Sequence, residues 1–368
     1  MMFKKTYNIP STIWIDVLNY LGLRTGEIMT SQEIHSVGKL HKAVHFYLFN
    51  NHGQLLLQKR YPNLDDYPNM YSASLTGHVH SGESSSLALK RKLQENFGMY
   101  AKELKYDFVF SYRRDIELDS GYIDKQFNDV YVGKADFKLQ DINYNTSKVS
   151  ELKLVSTQQF STMLKTKNQV VPSVCNESLT DLLWFLSDHP STFNIDVLNS
   201  LGLRTGEIMT RQEIHSVGKL HKAVHLYLFN SHNQLLLQKR AHDLDHYPNM
   251  YSISLTGHVD SGESSSMALK RELREELGLN AKEIKYDFMF SYRRDAELDS
   301  GYIDKQFNDV YVGKADFKLQ DINYDPSEVS ALRLVSIQEF RSMLEASDPV
   351  ITPVYGDALI ELLGMISK

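Results

Sequence analysis

The sequence predicts an α/β protein of the α+β kind, built as two similar sandwiches with mixed sheets. Three observations predict it. First, long words are spelled twice at a fixed interval. IDVLNYLGLRTGEIMT begins at Ile15 and IDVLNSLGLRTGEIMT at Ile195; EIHSVGKLHKAVH begins at Glu33 and Glu213; DSGYIDKQFNDVYVGKADFKLQDINY begins at Asp119 and Asp299. Second, each copy mixes alternating strand-like runs with helical ones, which points to helices packed on a sheet. Third, 368 residues suit two domains of ordinary size. A period of 180 residues is a whole domain, not a solenoid repeat. The boundary falls near SDHPS, Ser187 to Ser191, giving domains 1–188 and 189–368.

The elements of the second copy follow in order. AVHLYLFN (Ala223–Asn230) alternates and is rich in β-branched and aromatic residues, so it reads as a strand. SHNQ is a turn, and LLLQKR (Leu235–Arg240) reads as the paired strand of a hairpin. YSISLTGHV reads as one short strand ending near Gly257. SSSMALKRELREELG is the clearest helix: Ser264–Ser266 offer N-caps and Gly278 suits the C′ position. KEIKYDFMFSYR and QFNDVYVGKADF read as strands, and SIQEFRSMLEA as a helix. The apolar stretches LTDLLWFL and LIELLGMI end the two copies as helices.

Composition excludes several classes. Hydrophobic residues make up 42% and charged residues 23%, a globular balance. The net charge of −6 gives no sign of a basic nucleic-acid surface, so no nucleic-acid partner is expected. A single cysteine, Cys175, forms no intrachain disulfide and fits a reducing, cytoplasmic setting. No apolar run is long enough for a membrane helix or a signal peptide, so no membrane partner is expected either.

Chemistry concentrates in the clearest helix. Glu272, Glu275 and Glu276 stand at i, i+3 and i+4, on one face. Carboxylates so placed repel one another unless a cation lies among them, and oxygen-rich clusters suit a hard ion such as magnesium. Arg271 is adjacent and able to orient a carboxylate. Spacing alone leaves a second reading open, a solvated charged helix face.

From Gly257 to Leu279 the chain reads G-x5-E-x7-R-E-L-R-E-E-L-G-L. This pattern resembles the box of the Nudix family in full, so the chain resembles two Nudix domains in tandem. The resemblance implies an α/β/α sandwich in which the box holds Mg2+ or Mn2+ against a diphosphate. Water then cleaves a small-molecule substrate, typically a nucleoside diphosphate linked to a further group. By position, it implies that Glu275 and Glu276 bind metal and that Glu272 binds metal or assists the water. It also places Glu263 and Gly257 around the metal and Arg271 on the glutamates.

The remainder of each copy is similar to the branch of type I isopentenyl-diphosphate isomerase. That likeness places His215, His221 and His258 near the isomerase's metal-binding histidines and Asp304 at an acidic metal position. It also puts Thr256 where the isomerase has its cysteine, and Gln306 where it has its catalytic glutamate. Threonine and glutamine do not exchange protons at neutral pH, so hydrolysis is favoured over isomerisation. Asp304 is preferred over Asp309 and Glu297 as the acid beyond the box. His258 at the mouth of the box, Arg293, Arg294, Lys239 and Arg240 are the candidate phosphate contacts. His215, His221 and His225 have structural roles as their plainer reading. Tyr247, Tyr251 and Tyr292 are weaker candidates for stacking on a base.

In the first copy Glu83, Arg91 and Glu95 persist, while Lys92 and Asn96 replace two box glutamates and His80 replaces Asp260. Losing those charges weakens magnesium binding. The first domain is therefore expected to be a weak or inactive partner, paired within the chain with a catalytic second domain. A non-catalytic nucleotide or diphosphate sensor remains the rival class.

Overall fold

The computed structural model describes residues 13–62, 67–100, 104–117, 121–166, 170, 181–182, 193–244, 246–298, 301–352 and 356–366. The expected boundary at Ser187–Ser191 and Cys175 lie outside these residues.

The first unit runs β1 (Trp14–Leu18), β2 (Arg24–Thr30), α1 (Ser31–Val37), β3 (His41–Phe49), β4 (Leu55–Arg60), β5 (Tyr71–Ser72), β6 (Leu75–His78), α2 (Ser85–Phe97), β7 (Lys105–Glu117), β8 (Ile123–Lys134), β9 (Val149–Val155) and α3 (Thr157–Lys165). The second repeats it as β10 (Ile195–Leu198), β11 (Arg204–Met209), α4 (Arg211–Val217), β12 (His221–Phe229), β13 (Gln234–Arg240), β14 (Tyr251–Ser252), β15 (Leu255–His258), α5 (Ser265–Leu277), β16 (Lys285–Leu298), β17 (Tyr302–Lys314), β18 (Val329–Ser336) and α6 (Ile337–Glu345). It closes with α7 (Gly356–Ile366).

Each unit has a mixed seven-stranded sheet. In the second unit the order is β14-β13-β12-β17-β16, with β15 against β12 and β18 against β13. β12 and β17 run parallel, and β16 and β17 form a long antiparallel ribbon. Pleating sends alternate residues to opposite faces. Val224, Leu226 and Leu228 of β12 pack with Leu269, Leu273 and Leu277 of α5. Tyr227 and Phe229 pack on the other side with Phe340 of α6 and Leu359 and Leu362 of α7. The result is the α/β/α sandwich.

Two expected details differ. The expected hairpin across Ser231–Gln234 is joined at one pair only, Phe229 opposite Leu235. β12 already has β17 on one side and β15 on the other, so β13 diverges to pair with β18 and β14. YSISLTGHV is two short strands rather than one. Between them the Ser254 hydroxyl accepts from Leu228 N–H and donates to the Leu236 carbonyl, tying the break to two neighbouring strands.

The units are interlocked. Phe108 and Phe288 stack face to face with centroids 3.6 Å apart, merging the two α5-side and α2-side cores into one cluster. Leu23, at the tip of the β1–β2 hairpin, enters the second unit's core, and Leu203 enters the first's. Backbone bonds seal the exchange: Arg293 N–H donates to the Leu21 carbonyl and Arg113 N–H to the Leu201 carbonyl. Gly22 and Gly202, both at positive φ, make these close approaches possible, since a Cβ there would press on the Ser291 or Ser111 carbonyl. Asp107 and Asp287 each reach across to a serine and a lysine of the other unit's box helix.

Candidate functional site

α5 begins where sequence chemistry lets it. The Ser264 hydroxyl accepts from Met267 N–H, and Gly278 closes the helix at φ 63°. Leu269, Leu273 and Leu277 face the core, which turns Arg271, Glu272, Glu275 and Glu276 toward β15.

Arg271 is the hub. Its Nε and Nη2 donate to the two Glu263 oxygens at 2.9 and 2.8 Å, its Nη1 to Glu272 at 2.8 Å and Glu275 at 3.3 Å, and its Nη2 also to the His258 carbonyl. Both Glu263 oxygens are thereby committed, and Glu263 does not line the cavity. Rather than facing a metal as expected, it fixes the arginine that aligns the other carboxylates. Gly257 contributes by having no side chain: a Cβ there would overlap the Glu272 carboxyl group. Glu276 accepts from Gln238 Nε2 at 3.2 Å.

The carboxylates sit uneasily without a counter-ion. Burial pushes Glu272 up to about 7 against the pull of Arg271, with Glu275 and Asp260 adding to the rise. Burial, then the nearby Glu272, pushes Glu276 well above the usual carboxylate range. Asp260 is also raised by burial. Partly buried acids crowded in a cleft are the donor set a hard divalent cation neutralises. Glu272, Glu275, Glu276 and Asp260, all on the cavity wall, offer the oxygen donors Mg2+ or Mn2+ would take, although among the described residues only the histidine groups bring their ligand atoms within 4.8 Å of one another.

These groups line a cavity of ≈ 620 Å³ together with Gly257, His258, Asp304, Gln306, Arg240, Arg294 and Tyr247. Of the candidate phosphate contacts, Arg240 and Arg294 reach it. Arg293 and Lys239 do not: Arg293 lies on the other side of the β16 pleat, bound through two nitrogens to Asp295 at 2.8 and 2.6 Å. Glu297 and Asp309 do not line it either. Asp309 is fully buried, bonded to Ser265 and Ser291 and 3.8 Å from Lys222, so its charge is spent on structure. Tyr292 is a core residue.

A second cluster lies behind the cavity wall and reaches it through His258. The metal-ligating atoms of His215, His221 and His258 lie within 4.8 Å of one another. His215 Nδ1 faces the Ile303 carbonyl at 3.3 Å and His221 Nδ1 faces the Lys219 carbonyl at 3.1 Å. Donation to those carbonyls leaves each Nε2 with its lone pair inward. Burial, with His221 next, holds His215 near 3; burial holds His221 near 4 and His258 well below the usual range. Neutral imidazoles are what a transition metal needs. Asp304 stands in this cluster rather than with the glutamates, 3.6 Å from His215 and paired to Arg294 at 3.1 Å. The fold thus brings together His215, His221 and His258, while His225 packs against Tyr292. The first unit repeats the cluster with His35, His41 and His78.

Sequence reasoning passed over Arg211, Asp325 and Glu328, which also line the cavity. Their signal lay in the repeat itself: the matching residues are Ser31, Asn145 and Lys148.

The NUDIX domain pattern matches residues 39–174 and 219–355, so the chain belongs to the Nudix family, twice over. Members of this family typically hydrolyse phosphate anhydrides and generally use divalent metal ions, commonly Mg2+. The chain is 35% identical over 164 residues to Nudix hydrolase 3 of Arabidopsis thaliana, covering 44% of this chain but 21% of the plant protein. It is 39% identical over 132 residues to an isopentenyl-diphosphate Delta-isomerase of Pectobacterium atrosepticum, covering 36% of this chain and 70% of that one. An uncharacterised Nudix hydrolase of Listeria monocytogenes is 31% identical over 153 residues, covering 42% and 85%. Among solved structures, a Deinococcus radiodurans protein overlays 45% of this chain and 97% of its own, at 18% identity and a TM-score of 0.37. No described helix is long and apolar enough to cross a membrane.

Proposed function

We propose that the second unit hydrolyses a diphosphate linkage in a small molecule, such as a nucleoside diphosphate joined to another group, and that the first unit is a weak or inactive partner. The observation that carries this reading is the set Glu272, Glu275 and Glu276 on the wall of the cavity, the first two held by Arg271 and the third by Gln238. A bound divalent ion would supply Lewis acidity toward the phosphate oxygens and a lowered pKa for water. Glu272, Glu275 and Glu276 would hold it. Arg271 keeps two of these carboxylates aligned, and Glu263 keeps Arg271 aligned. Arg240 and Arg294 are placed to receive phosphate charge. Burial raises Glu272 to about 7 when no cation is bound, so a bound divalent ion would take the place of the proton there.

The kinship with isopentenyl-diphosphate isomerases makes isomerisation the natural rival. Thr256 and Gln306 weigh against it, because both face the cavity at the positions where that likeness expects the proton-exchanging pair.

The test is turnover of a panel of nucleoside di- and triphosphates, nucleotide sugars, dinucleotides, thiamine diphosphate and inositol pyrophosphates, with Mg2+ and then Mn2+. Glu276→Gln should abolish the activity and Glu95→Gln should leave most of it. Metal-dependent binding without turnover on every substrate would favour a sensor. The opposite pattern between the two variants would move catalysis to the first unit.

A further inference from the structure

The first unit also has a cavity, smaller at ≈ 140 Å³, lined by Arg60, Arg114, His45, Gly77, Asp124 and Gln126. Comparing its charges with those of the second unit is informative because the repeat aligns every position. The second cavity is walled by seven carboxylates and four guanidiniums. The eleven matching positions of the first unit hold two carboxylates, Glu95 and Asp124, and five cations. Lys92 and Lys148 stand where Glu272 and Glu328 would be, and His80, Asn96 and Asn145 are neutral where the second copy is acidic. Arg60, Arg91 and Arg114 are kept. Of these positions Arg60, Arg114 and Asp124 line the first cavity itself, two cations to one carboxylate. A wall with excess negative charge takes a phosphate only with divalent cations between; a wall with excess positive charge takes it directly.

The geometry agrees. Three cations converge on the one carboxylate of Glu95: Arg91 at 3.2 Å, Lys92 at 3.3 Å and Lys148 at 3.4 Å. The Lys92 stem lies against Gly77, which lines the cavity, in the space the Glu272 carboxyl fills in the other copy; its ammonium is paired to Glu95 at 3.3 Å, one side-chain rotation from that wall. Arg114 is 5% exposed, lines the cavity, and its Nε has no hydrogen-bond partner. His45, also on the wall, has an unpartnered Nδ1. Buried polar atoms left bare at a cavity wall, above all the obligate donor Arg114 Nε, are costly unless a ligand satisfies them.

We propose that the first unit is a metal-independent phosphate-anion site, in which Arg114, Arg60 and Lys92 directly hold inorganic phosphate or diphosphate, or the phosphate end of a nucleotide. Lys92 takes over the neutralising role that a divalent ion has in the second unit. The unit has then not merely lost a metal site but exchanged it for an anion site.

The test is calorimetric titration of the full chain with inorganic pyrophosphate in excess EDTA, which keeps metal from both units, the His35, His41 and His78 cluster included, so that only direct anion binding is read. Expected is saturable binding of one equivalent per chain. Arg114→Ala should weaken it by about tenfold or more, the value of a hydrogen bond to a charged group. Lys92→Glu should abolish it in EDTA and restore binding when Mg2+ is added. Arg294→Ala, the matching change in the second unit, should leave it within about twofold, as expected of a distant independent site. Thermal melts of each variant check folding, and Lys92→Glu, at the cavity border, keeps the test alive if Arg114→Ala does not fold. Separate titrations with orthophosphate and ADP identify the source: ADP binding as tightly as pyrophosphate names a nucleotide's phosphate end, and no ADP binding names the free anion. No saturable binding in EDTA, loss with Arg294→Ala instead of Arg114→Ala, or equal displacement by sulfate would each overturn the proposal.

Discussion

Gly257→Ala is a one-methyl perturbation of the glutamate cluster. The added Cβ would occupy space held by the carboxyl carbon and Oε1 of Glu272. Gly257 is not among the residues at positive φ, so alanine fits the backbone and the effect is steric alone. Glu272 cannot simply swing away, because Arg271 Nη1 holds it at 2.8 Å while Arg271 is itself clamped by Glu263. Overpacking of this kind costs about 1–3 kcal/mol. Displacing a catalytic group by about 1 Å lowers turnover by roughly a hundredfold. The expected result is a hundredfold fall in kcat/KM and weaker Mg2+ activation, with a small change in melting temperature. The repeat supplies its own control. Gly77→Ala meets Cε and Cδ of Lys92, the middle of a flexible stem, and should leave turnover unchanged. The assay is steady-state hydrolysis of the best substrate over a Mg2+ titration for both variants. If Gly257→Ala keeps wild-type kcat/KM, or if Gly77→Ala is equally damaging, Glu272 does not act where the geometry puts it.

Other expectations follow from the same structure. Phe288→Ala should destabilise the whole chain by about 3–5 kcal/mol in urea titration. Combined with Phe108→Ala the loss should be less than additive, and strict additivity would refute the shared stack. Arg294→Ala should cost at least about tenfold in kcat/KM, whereas Arg293→Ala, which only frees Asp295, should cost less than about twofold. Burial, with Arg294 next, holds His225 near 3, below the unfolded value of 6.5. A depressed histidine contributes stability that is complete above 6.5 and is lost as pH falls toward 3. At pH 5 that loss is about 2 kcal/mol per such histidine. Urea midpoints at pH 7.5 and 5 should therefore diverge in the wild type and diverge less in His225→Phe; an unchanged pH dependence would count against the burial of a neutral ring.

Much of this was legible in the residues. Ser264 and Gly278 marked both ends of the box helix, and both cap it. The i, i+3, i+4 spacing put Glu272, Glu275 and Glu276 on one face. The β10–β11 hairpin and α4 were passed over, although Thr210 and Glu213 carry a capping box whose T-x-x-E spacing is visible in the sequence. What no local pattern holds is which way a strand residue points once a sheet is assembled. Arg293 and Arg294 are adjacent letters, yet the pleat gives one to Asp295 and the other to the cavity. No local pattern brings His215, His221 and His258 together either, since they come from a helix and two strands; it is the isomerase likeness that sets them side by side, and the packing makes their rings converge. The family resemblance sets Glu263 around the metal, and its two bonds to Arg271 give it the arginine to hold instead.

The interlocked hairpin tips and the Phe108–Phe288 stack make this chain a dimer in everything but its covalent continuity. In a homodimer every substitution arrives twice, once in each protomer, so neither copy can give up its acids without the other doing so. One continuous chain lifts that symmetry. Its two halves hold each other at a local concentration that dilution does not change. A change such as Glu to Lys at a single helix position then alters one cavity and spares its twin. The shared core sets the limit of that freedom: the cavities can diverge, but Phe108, Phe288, Leu23 and Leu203 bind both histories to one folding event.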